Sequence, residues 1–455
     1  MELFDSLFRC EEVERALSSQ ACLQGMLDFE AALARAEARA GVIPSSAAMA
    51  IAAQCKAELF DVGRIALAAK TAGNAAIPLI TELTHRVAQT DNEAARYIHW
   101  GATSQDAIDT GLTLQLRQAL QIINTDLDRL TTALAKLATE HRSTLMVGRT
   151  WMQQALPTTF GFKVAGWLDA VTRARARLRE TEQRSMVLQF GGAVGTLAAL
   201  STKGPEVARY LAEDLRLPLP TLPWHAQRDR VAELAGALGI CAGTLGKIAR
   251  DISLLAQTEI GEVHEPAGDG RGGSSTMPHK RNAITCAVVL SASMRIPALV
   301  STVLSSMVQE HERGLGGWHA EWETLPEIVS LTGGAMRHLA EIVPRLEVDT
   351  ERMRHNLEVT RGLIYAEAVS MALATKLGRA PAHELAEAAC RRAQSKNEHL
   401  RDVLVRDEKI KSQLSSKELD DLFDPRKYLG SAEKFVDQAV SESRSKGAAK
   451  KAVRE

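Results

Sequence analysis

The chain has 455 residues, of which 45% are apolar and only 4% aromatic, and its formal net charge is −1. Nothing in that charge balance points to a nucleic acid or a membrane surface as a partner, though a local cationic pocket stays open. A core filled by Leu, Ala, Val and Ile suits closely packed helices better than a sheet, and the length predicts several domains or one very elongated core.

The N-terminal stretch MELFDSLFRCEEVERAL lacks the basic-then-apolar layout of a signal peptide. No uninterrupted apolar run reaches membrane-spanning length. The six cysteines, Cys10, Cys22, Cys55, Cys241, Cys286 and Cys390, are far apart, with no CxxC pair. This spacing argues against a disulfide scaffold or zinc site and for a reducing compartment, so a cytoplasmic protein is expected.

Residues 1–110 contain short helical pieces punctuated by Gly41, Pro44, Gly73 and Pro78. Leu116, Leu120, Ile123, Leu127, Leu130, Leu134 and Leu137 then alternate four- and three-residue steps. Val231, Leu234, Leu238, Cys241, Leu245, Ile248, Ile252 and Leu255 repeat the pattern. These are heptad seams, each about 30 Å long at ~1.5 Å per residue. Phe162–Val187 predicts a further long helix, and another runs from near Ala283 towards Gln309, bent at Pro297. After about residue 360 short helices resume, broken by Gly378, Pro381, Pro425 and Gly430, and 443–455 reads as a frayed basic tail.

The expected plan is all-α: an N-terminal domain 1–110, a central long-helix bundle 111–360 carrying a mobile loop at 264–282, a small C-terminal domain 361–442, and the tail. Long helices with several apolar faces predict a homo-oligomer.

Three segments carry chemistry. The first, His99–Thr110, reads HWGATSQDAIDT. Its hydroxyls and amide at Thr103, Ser104 and Gln105 could grip a carboxylate, or the segment could simply cap the following helix. His99 could equally be a satisfied structural histidine. The second, Gly148–Gly161, reads GRTWMQQALPTTFG. The third, Gly268–Asn282, reads GDGRGGSSTMPHKRN. Its glycines and serines predict a mobile loop, and Lys280, Arg281 and Asn282 supply charge and an amide. Gly268, Gly270 and Gly273 match a dinucleotide fingerprint, but a heptad helix precedes them and no βαβ alternation surrounds them.

The third segment resembles the GSSxMPxKxN pattern of the fumarase/aspartase superfamily: Gly273, Ser274, Ser275, Met277, Pro278, Lys280 and Asn282 match every fixed position. The resemblance implies that superfamily's three-domain fold with a homotetrameric helical core. It also implies no cofactor or metal, and a loop that closes over substrate, with Ser274 as proton-transfer residue and Lys280, Asn282 and Ser275 at the substrate. Family structures place the three segments on three different chains of the tetramer.

The second segment is similar to the superfamily's GRTHxQxAxPTTFG, through Arg149, Thr150, Gln153, Ala155, Pro157, Thr158 and Thr159. Trp151 departs from it, standing where most members have a histidine, and indole can only donate a hydrogen bond. Bacterial 3-carboxy-cis,cis-muconate cycloisomerases are the branch lacking that histidine. Thr71–Leu79, TAGNAAIPL, and Gln309–Ile328, QEHERGLGGWHAEWETLPEI, resemble the same branch.

The resemblance implies closure of a tricarboxylate to a lactone in protocatechuate breakdown by the β-ketoadipate pathway. It adds His99, Thr103, Ser104, Gln105, Arg149, Thr150, Trp151, Gln153 and Arg313 as substrate-binding candidates. Arg149 and Arg313 are the expected extra cations, or else structural ion pairs. An adenylosuccinate lyase-like elimination and a non-catalytic crystallin-like scaffold are the alternatives.

Overall fold

The computed structural model describes residues 3–448 except 269–271, 274, 275 and 278. In chain order, the elements that position the site begin with α1 (Ser19–Arg39) and α2 (Ser104–Glu140). They are followed by β1 (Leu145–Thr150), β2 (Gln153–Thr159), α3 (Phe160–Ser185) and α4 (Asp229–Leu255). Next come β3 (Val263–His264), α5 (Ile284–Ser306), α6 (Gly317–Ile342), β4 (Glu347–Val348) and, near the end, α7 (Ala432–Ala448). Shorter helices fill the N-terminal hundred residues and the segment after 350. The helix α7 extends to Ala448, past residue 443, where a frayed tail was expected.

Two compact units emerge. One comprises residues up to Asp128, Arg173–Gly246 and Val288–Leu339; the other comprises Arg129–Thr172, Lys247–Ala287 and the chain from Ala340 on. The boundaries fall inside all five long helices α2 to α6.

Both heptad seams are realised. Every seam residue from Leu116 to Leu137 and from Val231 to Leu255 is at most 8% exposed. The seams are therefore consumed within the chain. Exposed apolar residues lie elsewhere. Met294, Leu304 and Val308, on and just after α5, are 69%, 52% and 84% exposed.

Two helices, Asp229–Leu255 and Ile284–Ser306, are long and apolar enough to cross a membrane by length and composition. Neither is an uninterrupted apolar run: Glu233 and Lys247 interrupt the first and Arg295 the second. The most apolar window of the first is 61% buried inside the chain, that of the second only 28%.

The helix α6 was not anticipated, because Pro326, Gly333 and Gly334 lie within it. The glycines answer to packing: a methyl group on Gly334 would sit 1.9 Å from the Phe8 carbonyl oxygen. Glycine here lets the N-terminal segment cross the helix at backbone distance.

In the first unit, α1 packs with the Gly204–Leu215 helix around Leu27, Phe29, Leu33, Leu83, Val207 and Leu211. In the second, the C-terminal helices enclose their own core around Leu373, Ala389, Leu404 and Ile410.

Candidate active site

The first candidate segment opens α2. The His99 backbone lies in the left-handed region at φ +56°, and Gly101 follows at +73°. This sharp turn delivers Thr103 to the head of the helix. The backbone N–H of Thr103 donates to Asp106 Oδ2 at 3.0 Å, so the capping reading is realised through Asp106. The Thr103 hydroxyl is engaged separately, accepting from Arg313 Nη1 at 2.9 Å.

Asp106 is the floor of this unit. Besides Thr103 it accepts from Gln189 Nε2 (3.1 Å), Gly191 N (3.0 Å), Gly192 N (2.9 Å) and His225 Nε2 (2.7 Å). The carboxylate is fully buried, and its five donors supply what water would otherwise give. Gly192 has φ +69°, and a side chain there would meet the Gly101 carbonyl at 2.7 Å.

One turn further, Asp109 shares the buried Arg228 guanidinium with Glu321 and accepts from Trp318 Nε1 at 2.9 Å. Gln105 belongs to this interior: it is fully buried and donates to Asp109 Oδ2 and the His225 carbonyl, each at 3.0 Å. Its position is among the supports of the helix, whereas Ser104 is half-buried at the helix start.

Arg313 donates to Thr103 and to the Ala193 carbonyl at 2.9 Å, and its Nε has no partner among the described residues. No carboxylate among the described residues forms an ion pair with it. Arg313 is thus a cation beside a hydroxyl with capacity to receive an anion.

His99 donates through Nδ1 to Glu30 Oε1 at 2.6 Å. Burial works against its charged form, but the Glu30 charge and hydrogen bond outweigh it, with Asp106 adding, and the imidazole is pushed above its usual value.

The second unit carries the other two segments. Strands β1 and β2 pair antiparallel, Arg149 opposite Gln154 and Thr150 opposite Gln153, with an irregularity between Val147 and Arg149. Gly148 occupies it because a side chain would meet the Leu156 carbonyl at 2.9 Å. The two turn residues are Trp151 and Met152, at φ +52° and +65°. This is the geometry of a tight hairpin turn, normally given to Asn or Gly, since an L side chain in it costs roughly 1–2 kcal/mol. Trp151 is 95% exposed in the single chain. Thr150 and Gln153 flank it, exposed at the strand ends.

Arg149 is not an available cation. It forms a two-pronged pair with Glu262 at 2.7 and 2.9 Å, and Asn356 Nδ2 adds 2.8 Å to the same carboxylate, which is fully buried. The structure therefore places Arg149 in the structural ion-pair role. A cation not anticipated from sequence is Lys163, on α3. Burial lowers its ammonium most; Asp251 opposes this, while Lys247 and Arg149 add to the lowering.

Of the loop, Ser274 and Ser275 lie outside the described residues. Lys280 is exposed, its backbone N–H donating to Met277 O at 3.1 Å. Asn282 folds back on the loop, its backbone N–H reaching Gly272 O at 2.8 Å. The loop is tied at its ends. The Glu265 carboxylate caps α5 through Thr285 N and Cys286 N, and Arg281 bridges Glu265 O and Glu347.

The family is established by comparison. Residues 9–298 match the family model described as lyase, and residues 362–439 match the adenylosuccinate lyase C-terminus. The chain belongs to this lyase family, the fumarate lyase superfamily. Among its relatives is the 3-carboxy-cis,cis-muconate cycloisomerase of Pseudomonas aeruginosa, 55% identical over 98% of this chain and 97% of the relative. The crystal structure of the Pseudomonas putida 3-carboxy-cis,cis-muconate lactonizing enzyme superposes with TM-score 0.94 at 53% identity, covering 98% of this chain and all of the other. A relative of different activity, the nitrosuccinate lyase of Streptomyces davaonensis, is 42% identical over 94% of this chain and 92% of its own length.

Proposed function

We propose that this chain is an enzyme that closes 3-carboxy-cis,cis-muconate to 4-carboxymuconolactone, a step of aromatic catabolism through the β-ketoadipate pathway. The observation that carries the reading is near-full-length identity of 52–55% to three cycloisomerases of that name, joined by the structural match.

In the reaction one substrate carboxylate adds to an alkene carbon, forming the lactone C–O bond. The alkene pair moves to the neighbouring carbon, α to another carboxylate, which takes a proton. Three carboxylates become two and a lactone, so one proton is consumed. The nucleophile is already ionised and tethered, so the enzyme must fold the substrate, stabilise enolate charge and deliver the proton. No step needs a cofactor.

In this reading Ser274 delivers the proton and Lys280 stabilises the developing charge. Asn282, Ser275, Thr103, Ser104, His99 and Arg313 hold carboxylates. Thr150, Trp151 and Gln153 form a wall that excludes water. The exposure of Trp151 and of the α5 apolar surface supports a homotetramer in which the hairpin completes a site on another chain. Residues 1–110, 111–360 and 361–442 are then the N-terminal, central and C-terminal domains. All six cysteines are free, in keeping with the cytoplasm.

The test is to add purified protein to 3-carboxy-cis,cis-muconate and follow loss of the diene absorbance, with the product identified by NMR. Conversion to 4-carboxymuconolactone without added metal or nucleotide is expected. An untouched diene in the presence of folded protein would remove the reading.

A further inference from the structure

We infer that Glu30 is a positioning residue for this reaction: its carboxylate grips Nδ1 of His99 and holds the imidazole with Nε2 left for a carboxylate of the substrate. The inference rests on the functional reading above.

The setting of Glu30 makes a purely structural role costly. It lies on α1 amid Met26, Leu27, Phe29 and Leu33, and is 2% exposed. A carboxylate buried there needs several partners, yet among the described residues its one hydrogen bond is to His99 Nδ1, at 2.6 Å, and Oε2 has none. The His99 backbone is itself strained at φ +56°. Two unfavourable features thus converge on one contact, which is the pattern of a functional site.

The neighbours favour charge on this pair. Glu37, one heptad along α1, has both oxygens unpartnered. Burial first, then the Glu30 charge, push its carboxyl up to about 9, so it is neutral near pH 7. Cys55, whose thiol burial and Glu30 raise, is neutral too. Asp106 on α2 also faces His99, and it is saturated by its own five donors. Arg313 is bonded to Thr103, four residues on. No described residue bonds Nε2 of His99. With Nδ1–H committed to Glu30, the imidazolium presents Nε2–H as a charged donor suited to a trianion.

The experiment compares wild type, Glu30→Gln and Glu30→Asp on 3-carboxy-cis,cis-muconate across pH. In parallel, His99 is titrated by NMR of 13C-labelled histidine in the substrate-free protein, its signal assigned with His99→Asn. For Glu30→Gln, KM should rise about tenfold near pH 8 and little near pH 6, with kcat within about threefold, because a weakened His99 loses its proton earlier. The His99 titration should move down by about one unit, and Glu30→Asp should restore part of both effects. A loss equal at all pH values, or a His99 titration that does not move, would overturn the inference. An inactive wild type would instead overturn the functional reading, and the His99 titration would still decide whether Glu30 governs its charge.

Discussion

Arg313 and Thr103, 210 residues apart in sequence, meet through a 2.9 Å hydrogen bond between guanidinium and hydroxyl. A cation held by a hydroxyl and a carbonyl, with no carboxylate among the described residues to neutralise it, is an anion site in waiting. Arg313→Gln should therefore raise KM for the tricarboxylate about 10–100-fold while leaving the melting temperature nearly unchanged. Steady-state kinetics beside a thermal scan check it. A large drop in melting temperature would mark Arg313 as structural.

The opposite holds for Arg149. Its removal strands the fully buried Glu262 carboxylate with Asn356 as the remaining donor. Arg149→Gln should destabilise the protein by about 3–5 kcal/mol, visible as a fall in the midpoint of denaturant unfolding.

Replacing Ser274 by Ala should lower kcat by about 10²–10⁴-fold, the usual worth of a positioned proton donor, with the circular dichroism spectrum intact. A near-normal rate would exclude Ser274 from the chemistry.

Trp151 is 95% exposed, so Trp151→Ala should leave chain stability within about 0.5 kcal/mol of wild type. If the hairpin completes a site on another chain, the same variant lowers turnover. Trp151→His should also impair lactone formation, and full activity in that variant would show that the indole is dispensable.

Glu37 links stability to pH. Its carboxyl titrates at about 9 in the folded chain against 4.5 when unfolded, so between these values the unfolded state releases a proton the folded state keeps. Its contribution is complete below pH 4.5 and is lost as pH rises through 9, at up to about 1.4 kcal/mol per unit. Glu37→Gln should flatten the stability profile over that window, as measured by denaturant midpoints at a series of pH values.

Much of the fold could be read from periodicity. The heptads of α2 and α4 mark buried faces, and Pro297 lies inside α5. The helix α6 was illegible because its glycines report a backbone crossing by the segment around Phe8, which no local pattern encodes. The β1–β2 hairpin was missed since its turn is Trp-Met, not a glycine pair.

Candidate site residues could be named where a motif carried them, as at Thr103 and Arg313, which the structure brings within hydrogen-bond distance. Gln105 was legible as part of a motif but not as buried. Glu30 was hidden and Asp106 was legible only as a helix cap, because the rest of their meaning lies in partners far along the chain, His99 and the Gln189–Gly192 turn. The one local sign was an acid at 30 and another at 37 on the otherwise apolar buried face of an amphipathic helix.

The cradle under Asp106 bears on how such an enzyme can change. Three of its five donors are main-chain amides, those of Thr103, Gly191 and Gly192. Mutation to anything but proline leaves an amide N–H in place. The footing of α2 is thus written largely in backbone: at Thr103 the amide outlasts a change of side chain, while Gly191 and Gly192 must stay glycine, because an added Cβ would meet Pro223 and the Gly101 carbonyl, each at 2.7 Å. In the proposed reading, where Thr103, Ser104 and Arg313 hold substrate carboxylates, these side chains can be exchanged while the Asp106 cradle keeps its hold on the helix that carries the first two. New anionic substrates would then be tried one residue at a time.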